Sequence, residues 1–314
     1  MKKVLVTGAS GSIGLKVIKY LLSEGKYEIT ALDLRNKGSQ KRLKKYRRRI
    51  NIIYGDINDT ILIPSLIKDQ DYIIHLAGVM PPIADLKKGL SDLIEYNGTL
   101  NIIRALDFYN PKCFLVYASS TTIYGDIKTA TIKSKPNILP LDYYSTTKLA
   151  TEDLIKSKLK NYTIIRLPFI LSDPSTGSFM YNVKRNTTLE ALTDNDAAYL
   201  FVNSLNHEAE LRKKTFNAGG GDTTTSSYRD ILSHVLEIYG ISFKYLGTLL
   251  FLDKNFYSHI YEDSDKLNDI LEFRSDSLSS YYMRLKRSTK NRLVARFLAK
   301  PFIFFLRRKV KWQD

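Results

Sequence analysis

A glycine turn between a strand and a helix constrains this chain more than any other feature. Val4-Leu5-Val6-Thr7 is a short apolar run rich in β-branched residues, and it leads straight into Gly8-Ala9-Ser10-Gly11-Ser12-Ile13-Gly14. Leu15, Val17, Ile18, Leu21 and Leu22 then recur at helical spacing, so the order reads strand, turn, helix. Glycines there let the backbone approach a pyrophosphate closely, while the free N–H groups and positive end of the helix dipole face the anion. A tight turn alone would explain the glycines. The acidic residue Asp33, 19 residues past Gly14 at the end of the next apolar run, adds what a dinucleotide fold needs.

The rest of the first half alternates strands with helices. Glu28 to Leu32, Ile50 to Tyr54, Asp71 to Gly78 and Cys113 to Ala118 read as strands two to five, with helical spacing at Leu62 to Lys68 and from about Asp85 to Phe108. Alternation of this kind predicts an α/β fold, a doubly wound parallel sheet with helices on both faces. A carboxylate at Asp33 accepts both adenosine ribose hydroxyls and repels a ribose phosphate, which favours NAD, while Arg35 keeps NADP open. The small residues closing the fourth strand leave room for a ligand.

Ser119-Ser120-Thr121-Thr122 follows the fifth strand, and 24 residues after Ser120 comes Tyr144-Ser145-Thr146-Thr147-Lys148. On a helix, Tyr144 and Lys148 emerge on one face. An ammonium beside a phenol favours the phenolate and so lowers its pKa toward the working range of a general base. A serine hydroxyl aimed at the same place holds the substrate oxygen as a proton moves. With 21 tyrosines in the chain a single such spacing is weak evidence, and the upstream nucleotide signature gives it weight.

Together, Thr7-Gly8-x-x-Gly11-x-x-Gly14, Asp33, Asp56-Ile57, His75-Leu76-Ala77-Gly78, Ser119 to Gly125 and Tyr144-x-x-x-Lys148 resemble the extended short-chain dehydrogenase/reductase family. The resemblance is to its NAD-dependent epimerase/dehydratase branch, which includes UDP-galactose epimerase-like enzymes. It continues through Ile164 to Pro168, Asp196-Ala197-Ala198 and Phe216 to Gly220, over about the first 240 residues. It implies that Gly8, Ser10, Gly11, Ser12, Ile13 and Gly14 hold the pyrophosphate, Asp33 the ribose, and Asp56 and Ile57 the adenine. Leu76, Ala77 and Gly78 take the middle of the cofactor, and Tyr144, Lys148 and Pro168 complete its contacts. Ser120, Tyr144 and Lys148 are the implied catalytic residues.

Departures from the family pattern bear on the substrate. Arg166 is followed by Leu167-Pro168-Phe169, without the asparagine that helps relatives place a nucleotide-sugar diphosphate. Glu95 stands where many relatives carry asparagine, unless a small gap brings Asn97 there. Thr121-Thr122 replaces the acid and base of the sugar 4,6-dehydratases, which disfavours dehydration. The stretch from Phe169 to Asp196 is short for a substrate lobe. Farther on, Thr187 to Leu205 contains a helix, Thr215 to Ala218 reads as a strand, and Ser227 to Tyr239 reads as an amphipathic helix burying Ile231, Leu232, Val235, Leu236 and Ile238. Gly219-Gly220-Gly221 reads as a turn.

The organisation expected is a Rossmann core over 1–168, a small substrate lobe interleaved with the last core elements over 169–280, and a basic amphipathic tail over 281–314. The net charge of +16 is concentrated: nine of the 48 Lys and Arg lie between Arg35 and Arg49 and eleven between Arg284 and Lys311, leaving 28 against 32 acidic side chains. The first run reads as a solvated, helix-like face. In the second, Leu293 to Trp312 sets phenylalanines and a tryptophan among basic residues, a pattern suited to an anionic membrane surface or to packing on the body or on a second subunit of a homodimer. Nucleic acid is a poor fit because no docking motif matches. Lone Cys113 reads as a buried strand residue, and the four histidines lack metal-ligand spacing, so no metal is expected. No apolar run is long enough to span a bilayer, and the start lacks a secretory signal, so a cytoplasmic enzyme is expected, peripheral at the inner membrane face if the tail binds there.

Three functions fit. One is an NAD-dependent epimerase or oxidoreductase acting by hydride transfer on a nucleotide sugar for surface polysaccharide. The second is a net reductase or dehydrogenase of a smaller carbonyl compound, and the third a non-catalytic dinucleotide-binding protein, which has no need of Ser120, Tyr144 and Lys148 together.

Overall fold

A computed structural model describes residues 1–125, 131–132, 138–172, 186–240 and 260–288. Seven strands form the central sheet: β1 (Lys2–Thr7), β2 (Tyr27–Asp33), β3 (Asn51–Tyr54), β4 (Tyr72–His75), β5 (Phe114–Ser120), β6 (Tyr162–Leu167) and β7 (Lys214–Asn217). Their spatial order is β7-β6-β5-β4-β1-β2-β3, and every pair is parallel. The order reverses between β1 and β4, which leaves a crevice at their carboxyl ends where α/β sheets bind ligands.

Period-two alternation assigns each strand residue to one of two cores. Val4, Val6, Ile29, Ala31, Ile74, Phe114, Val116 and Ile165 pack beneath α1 (Ser12–Glu24) and the later helix Asp194–Asn203. Leu5, Leu32, Ile73, Leu115, Tyr117 and Ile164 face the other way. They meet α3 (Leu62–Ile67), α4 (Gly98–Tyr109) and α5 (Tyr143–Lys158), with α2 (Lys37–Leu43) lying between β2 and β3. The helix over Asp194–Asn203 is α6, followed by α7 (Tyr228–Ile238), α8 (Glu262–Leu271) and α9 (Leu278–Ser288). Tyr281 and Leu285 of α9 pack on Ile231, Leu232, Val235 and Leu236 of α7 in a separate cluster, with Ile238 only half-buried at its edge.

The helix expected from Asp85 to Phe108 is broken. Ile83–Leu86 and Lys88–Ser91 are single turns separated at Lys87, whose backbone leaves the helical region at φ −122° and ψ 66°. A wide π turn over Asp92–Asn97 then leads into α4. Strand β4 also ends at His75, so Leu76, Ala77 and Gly78 lie beyond its carboxyl end. The basic run from Arg35 to Arg49 forms α2 and a following turn, with most of its Lys and Arg exposed as expected. Cys113 is buried immediately before β5. No helix among the described residues is long and apolar enough to cross a membrane. The sequence expectations for Leu293 to Trp312 and for part of the lobe between Phe169 and Asp196 lie outside the described residues.

Candidate active site

The turn after β1 is built around two close approaches. Gly8 has φ +64°, and a Cβ there would lie 2.8 Å from the backbone of Leu76 and Ala77. At Gly14 a Cβ would meet the Gly8 carbonyl oxygen at 2.5 Å. Gly11 donates its N–H to the Gly8 oxygen at 3.0 Å and leads into α1 in an extended conformation, and no side chain caps that helix. Open N–H groups of this kind suit an anion. Asp33, at the carboxyl end of β2, accepts the N–H of Ser10 at 2.7 Å and of Leu34 at 2.8 Å, so its carboxylate is fixed at the lip of the turn. The cradle and the placed carboxylate fit a dinucleotide.

Asp56 and Ile57 follow β3, beside Asp33 in the sheet. Asp56 is exposed and accepts the Asn58 N–H, whereas Ile57 is buried against Gly98, with its carbonyl held by Asn101. Ser12 and Ile13 open α1, half-buried, and Pro168 is buried just past the pairing of Leu167 with Ser120.

A buried histidine ties the turn to the opposite strand. The Thr7 hydroxyl lies 2.6 Å from His75 Nδ1, and His75 Nε2 lies 2.9 Å from the Thr99 hydroxyl, which itself donates to the Glu95 carbonyl. With the Thr99 proton committed to that carbonyl, Nε2 must carry the ring proton and Nδ1 must accept from Thr7. Burial first, and the Lys148 ammonium second, push His75 down to about 3, so the ring is neutral at any working pH. It is a brace, and the Thr7 oxygen it orients also receives the N–H groups of Leu76 and Ala77 at 3.2 Å.

Lys148 reaches the far side of the same trough. A Cβ on exposed Gly78 would lie 3.6 Å from its Nζ. That Nζ donates to the Ala118 carbonyl at 2.8 Å and sits 5.9 Å from the centre of the Tyr144 ring. Tyr144 is buried, with its hydroxyl 3.7 Å from Met80 Sδ and with Ser120 near enough to oppose the rise in its pKa. Tyr144 and Lys148 thus share one face of α5, with Ser120 nearby at the end of β5.

One expectation is corrected. The phenol is raised and not lowered, and Lys148 Nζ is paired at 2.8 Å with Glu95, itself 1% exposed. Burial and then the Glu95 charge push Tyr144 well above its ordinary range, with smaller contributions from Asp142 and Asp85 opposing the Ser120 hydrogen bond. Glu95 and Tyr117, whose hydroxyl donates to the same carboxylate at 2.5 Å, are site residues the sequence reading did not assign. The departure at Glu95 from the family asparagine was their signal. Among the described residues no His, Cys, Asp and Glu group is arranged to hold a metal ion.

A phosphate cradle at the switch point of a parallel sheet, rimmed by Ser120, Tyr144 and Lys148, defines a Rossmann-type dinucleotide-binding protein. The model of the NAD dependent epimerase/dehydratase family matches residues 4–178, and the chain belongs to that family. It is 30% identical over 170 residues to a dTDP-glucose 4,6-dehydratase of Mycolicibacterium smegmatis, covering 52% of this chain and 50% of that protein. It is 28% identical over 183 residues to a UDP-glucose 4-epimerase of Lactobacillus helveticus, covering 56% and 54%. The match thus spans about half the length of these relatives. The fold is similar to that of a UDP-glucuronic acid 4-epimerase from Bacillus cereus solved with UDP-glucuronic acid and NAD, at a TM-score of 0.72 and 20% identity over 91% of this chain and 99% of that one. NAD is the cofactor of the family, and the residues present fit it.

Proposed function

We propose that the protein is an NAD-dependent epimerase or oxidoreductase acting at a carbinol or carbonyl carbon of a nucleotide sugar. The observation that carries this reading is the proximity of Ser120, Tyr144 and Lys148, with Lys148 reaching Gly78 beside the Gly8 cradle. NAD supplies the acceptor and donor of hydride at the reacting carbon. The Tyr144 hydroxyl exchanges the proton of the substrate oxygen, Ser120 hydrogen-bonds that oxygen, and Lys148 orients the nicotinamide end of the trough. Gly8, Gly11 and Gly14 with the start of α1 hold the pyrophosphate, and Asp33 the ribose. Thr121 and Thr122 offer no acid and base for eliminating water, which supports epimerisation or net redox chemistry over dehydration.

Incubation with UDP- and dTDP-hexoses tests the reading. A new epimer by NMR without steady change in nicotinamide absorbance is the result expected of an epimerase. Steady absorbance change supports net oxidation or reduction, and neither signal with any sugar overturns the proposal. A second reading, a net reductase of a smaller carbonyl compound, is favoured by Arg166. Its Nε and Nη2 bind Glu152 at 2.9 and 2.6 Å and its Nη1 binds Tyr124 at 2.7 Å, which leaves it ill-placed for a substrate diphosphate.

Selectivity for NAD over NADP rests on Asp33. Asp33→Asn keeps the acceptor for Ser10 but removes the charge that repels a ribose phosphate. The ratio of NAD to NADP affinity, measured by calorimetry, is expected to fall about tenfold or more, the worth of a hydrogen bond to a charged group. Arg35, held 5.7 Å from the Tyr54 ring, is close enough in the chain to aid the phosphate once the carboxylate is gone.

Surface polysaccharide synthesis, attachment to an anionic membrane face and a homodimer are part of the same proposal. Exposed Ile83, Leu86, Leu90 and Leu93 support the dimer. For the membrane, the support is the sequence of residues 293–312 alone. Deleting residues 289–314 is expected to abolish co-sedimentation with anionic vesicles, and unchanged pelleting overturns that part.

A further inference from the structure

Glu95 is the one carboxylate among the described residues paired to Lys148, and the π turn over Asp92–Asn97 carries it there from a separate segment of the chain. Such turns are frequent at functional sites. Its Oε1 accepts both the Lys148 ammonium at 2.8 Å and the Tyr117 hydroxyl at 2.5 Å. Its Oε2 is buried with no hydrogen-bond partner among the described residues and sits 2.5 Å from where a Gly78 Cβ would lie, so it lies directly under that glycine. A buried ion pair with one oxygen unsatisfied costs stability that an asparagine or an apolar side chain would not. The arrangement therefore calls for a role beyond packing.

We propose that Glu95 is a positioning residue that acts through Lys148, cancelling the ammonium's charge at the phenol so that Tyr144 rests as a proton donor. This deepens the proposed function, resting on Tyr144 as the proton-exchanging group. A lysine alone beside a phenol stabilises the phenolate, whereas a lysine matched by a carboxylate leaves burial to dominate. The direction of the shift at Tyr144 agrees, since Glu95 is the leading charge acting on it after burial. The other charged and titratable groups around the phenol are few. Asp85 accepts the Tyr144 N–H at 3.0 Å, Asp142 caps α5, and Lys88 and Asp92 engage Tyr143 at the outer edge. His75 stays neutral, and Tyr117 is pushed far up by burial like Tyr144 itself, so the Tyr144→Phe subtraction is needed to tell the two phenols apart. The consequence for catalysis is directional: the resting site is set to protonate a carbonyl oxygen, and drawing a proton from a carbinol requires ionising Tyr144 first.

The test is an alkaline titration of phenolate absorbance on the full chain without cofactor or substrate, so its outcome is independent of which reaction the protein performs. Subtracting the trace of Tyr144→Phe from that of the parent isolates Tyr144. In the parent this difference is expected to rise only after the ordinary tyrosines have ionised. In Glu95→Gln it is expected about 1–3 pH units earlier, the effect of an unopposed charge nearby, and it vanishes in Glu95→Gln/Tyr144→Phe. Glu95→Asn, the amide many relatives carry, should give the same downward shift should the glutamine variant fail to fold. Glu95→Asp, which keeps the charge, should titrate like the parent. Difference traces that superimpose for the parent and both amide variants overturn the inference, because a carboxylate serving only to pack would leave the phenol unmoved. Undiminished turnover in Tyr144→Phe, by contrast, removes the proposed function and leaves the titration result standing.

Discussion

Tyr144→Phe is expected to lower turnover by about 10²–10⁴-fold, the range for removing a positioned proton-transfer group, while leaving the fold and NAD affinity close to those of the parent. The ring has its own reasons to stay where it is. It packs with Val79 and Ala84, and half-buried Ile94 closes the cluster. Met80 Sδ, a weak acceptor at 3.7 Å, is the hydroxyl's hydrogen-bond partner among the described residues, so its removal costs about 1 kcal/mol of stability or less. Lys148 keeps its bonds to Glu95 and Ala118. Steady-state kinetics on whichever nucleotide sugar turns over, with NAD titrated in parallel, separates the two effects. A fall in kcat at unchanged NAD affinity is the expected pattern. A variant that turns over like the parent would leave the proximity of Ser120, Tyr144 and Lys148 without a chemical role.

What the sequence made legible was local. Val4 to Gly14 announces its strand, turn and helix because the β-branched run, the positive φ of Gly8 and the helical spacing of Leu15 to Leu22 are each set within a few residues. The alternation that follows fixes a doubly wound parallel sheet for the same reason. Asp33, Ser120, Tyr144 and Lys148 were candidates from spacing and family likeness; strands place Asp33 and Ser120 at the carboxyl edge of the sheet, and α5 carries Tyr144 and Lys148. What spacing hid was long-range. The ion pair between Glu95 and Lys148 joins residues 53 positions apart, and burial with the Glu95 charge raises the phenol that the ammonium was expected to lower. The same carboxylate lies on the π turn that interrupts the helix expected from Asp85 to Phe108. Apolar periodicity there was real, as the burial of Ile102, Ile103 and Leu106 shows, but periodicity does not register a turn whose side chain is claimed by another helix.

Glu152→Ala is expected to destabilise the protein by about 3–5 kcal/mol, the cost of stripping one partner from a buried ion pair. Glu152 is wholly buried and receives Arg166 through two hydrogen bonds, the Ser119 hydroxyl at 2.6 Å and Lys156 at 2.9 Å. Without it the Arg166 guanidinium keeps, among the described residues, only Tyr124, whose own hydroxyl donates to Asn217 at 2.7 Å. Denaturant titration should show a lower midpoint for Glu152→Ala. Adding Arg166→Met should recover part of the loss, since the uncompensated charge goes with it. Burial raises the Glu152 carboxyl, but Arg166, Lys156 and Ser119 together outweigh burial and hold it below its usual range. A depressed carboxyl contributes stability that is complete above its unfolded value, about 4.3, and disappears as pH falls through the folded one. The parent should therefore lose stability on acidification more steeply than Glu152→Ala over that window. The site depends on this pair as well, because Tyr144, Lys148 and Glu152 recur every fourth residue along α5 and so share one face. Gripping Arg166 of β6 and Ser119 of β5 at the third of these positions clamps α5 against the strands, and that clamp sets where the first two meet Ser120 and the trough.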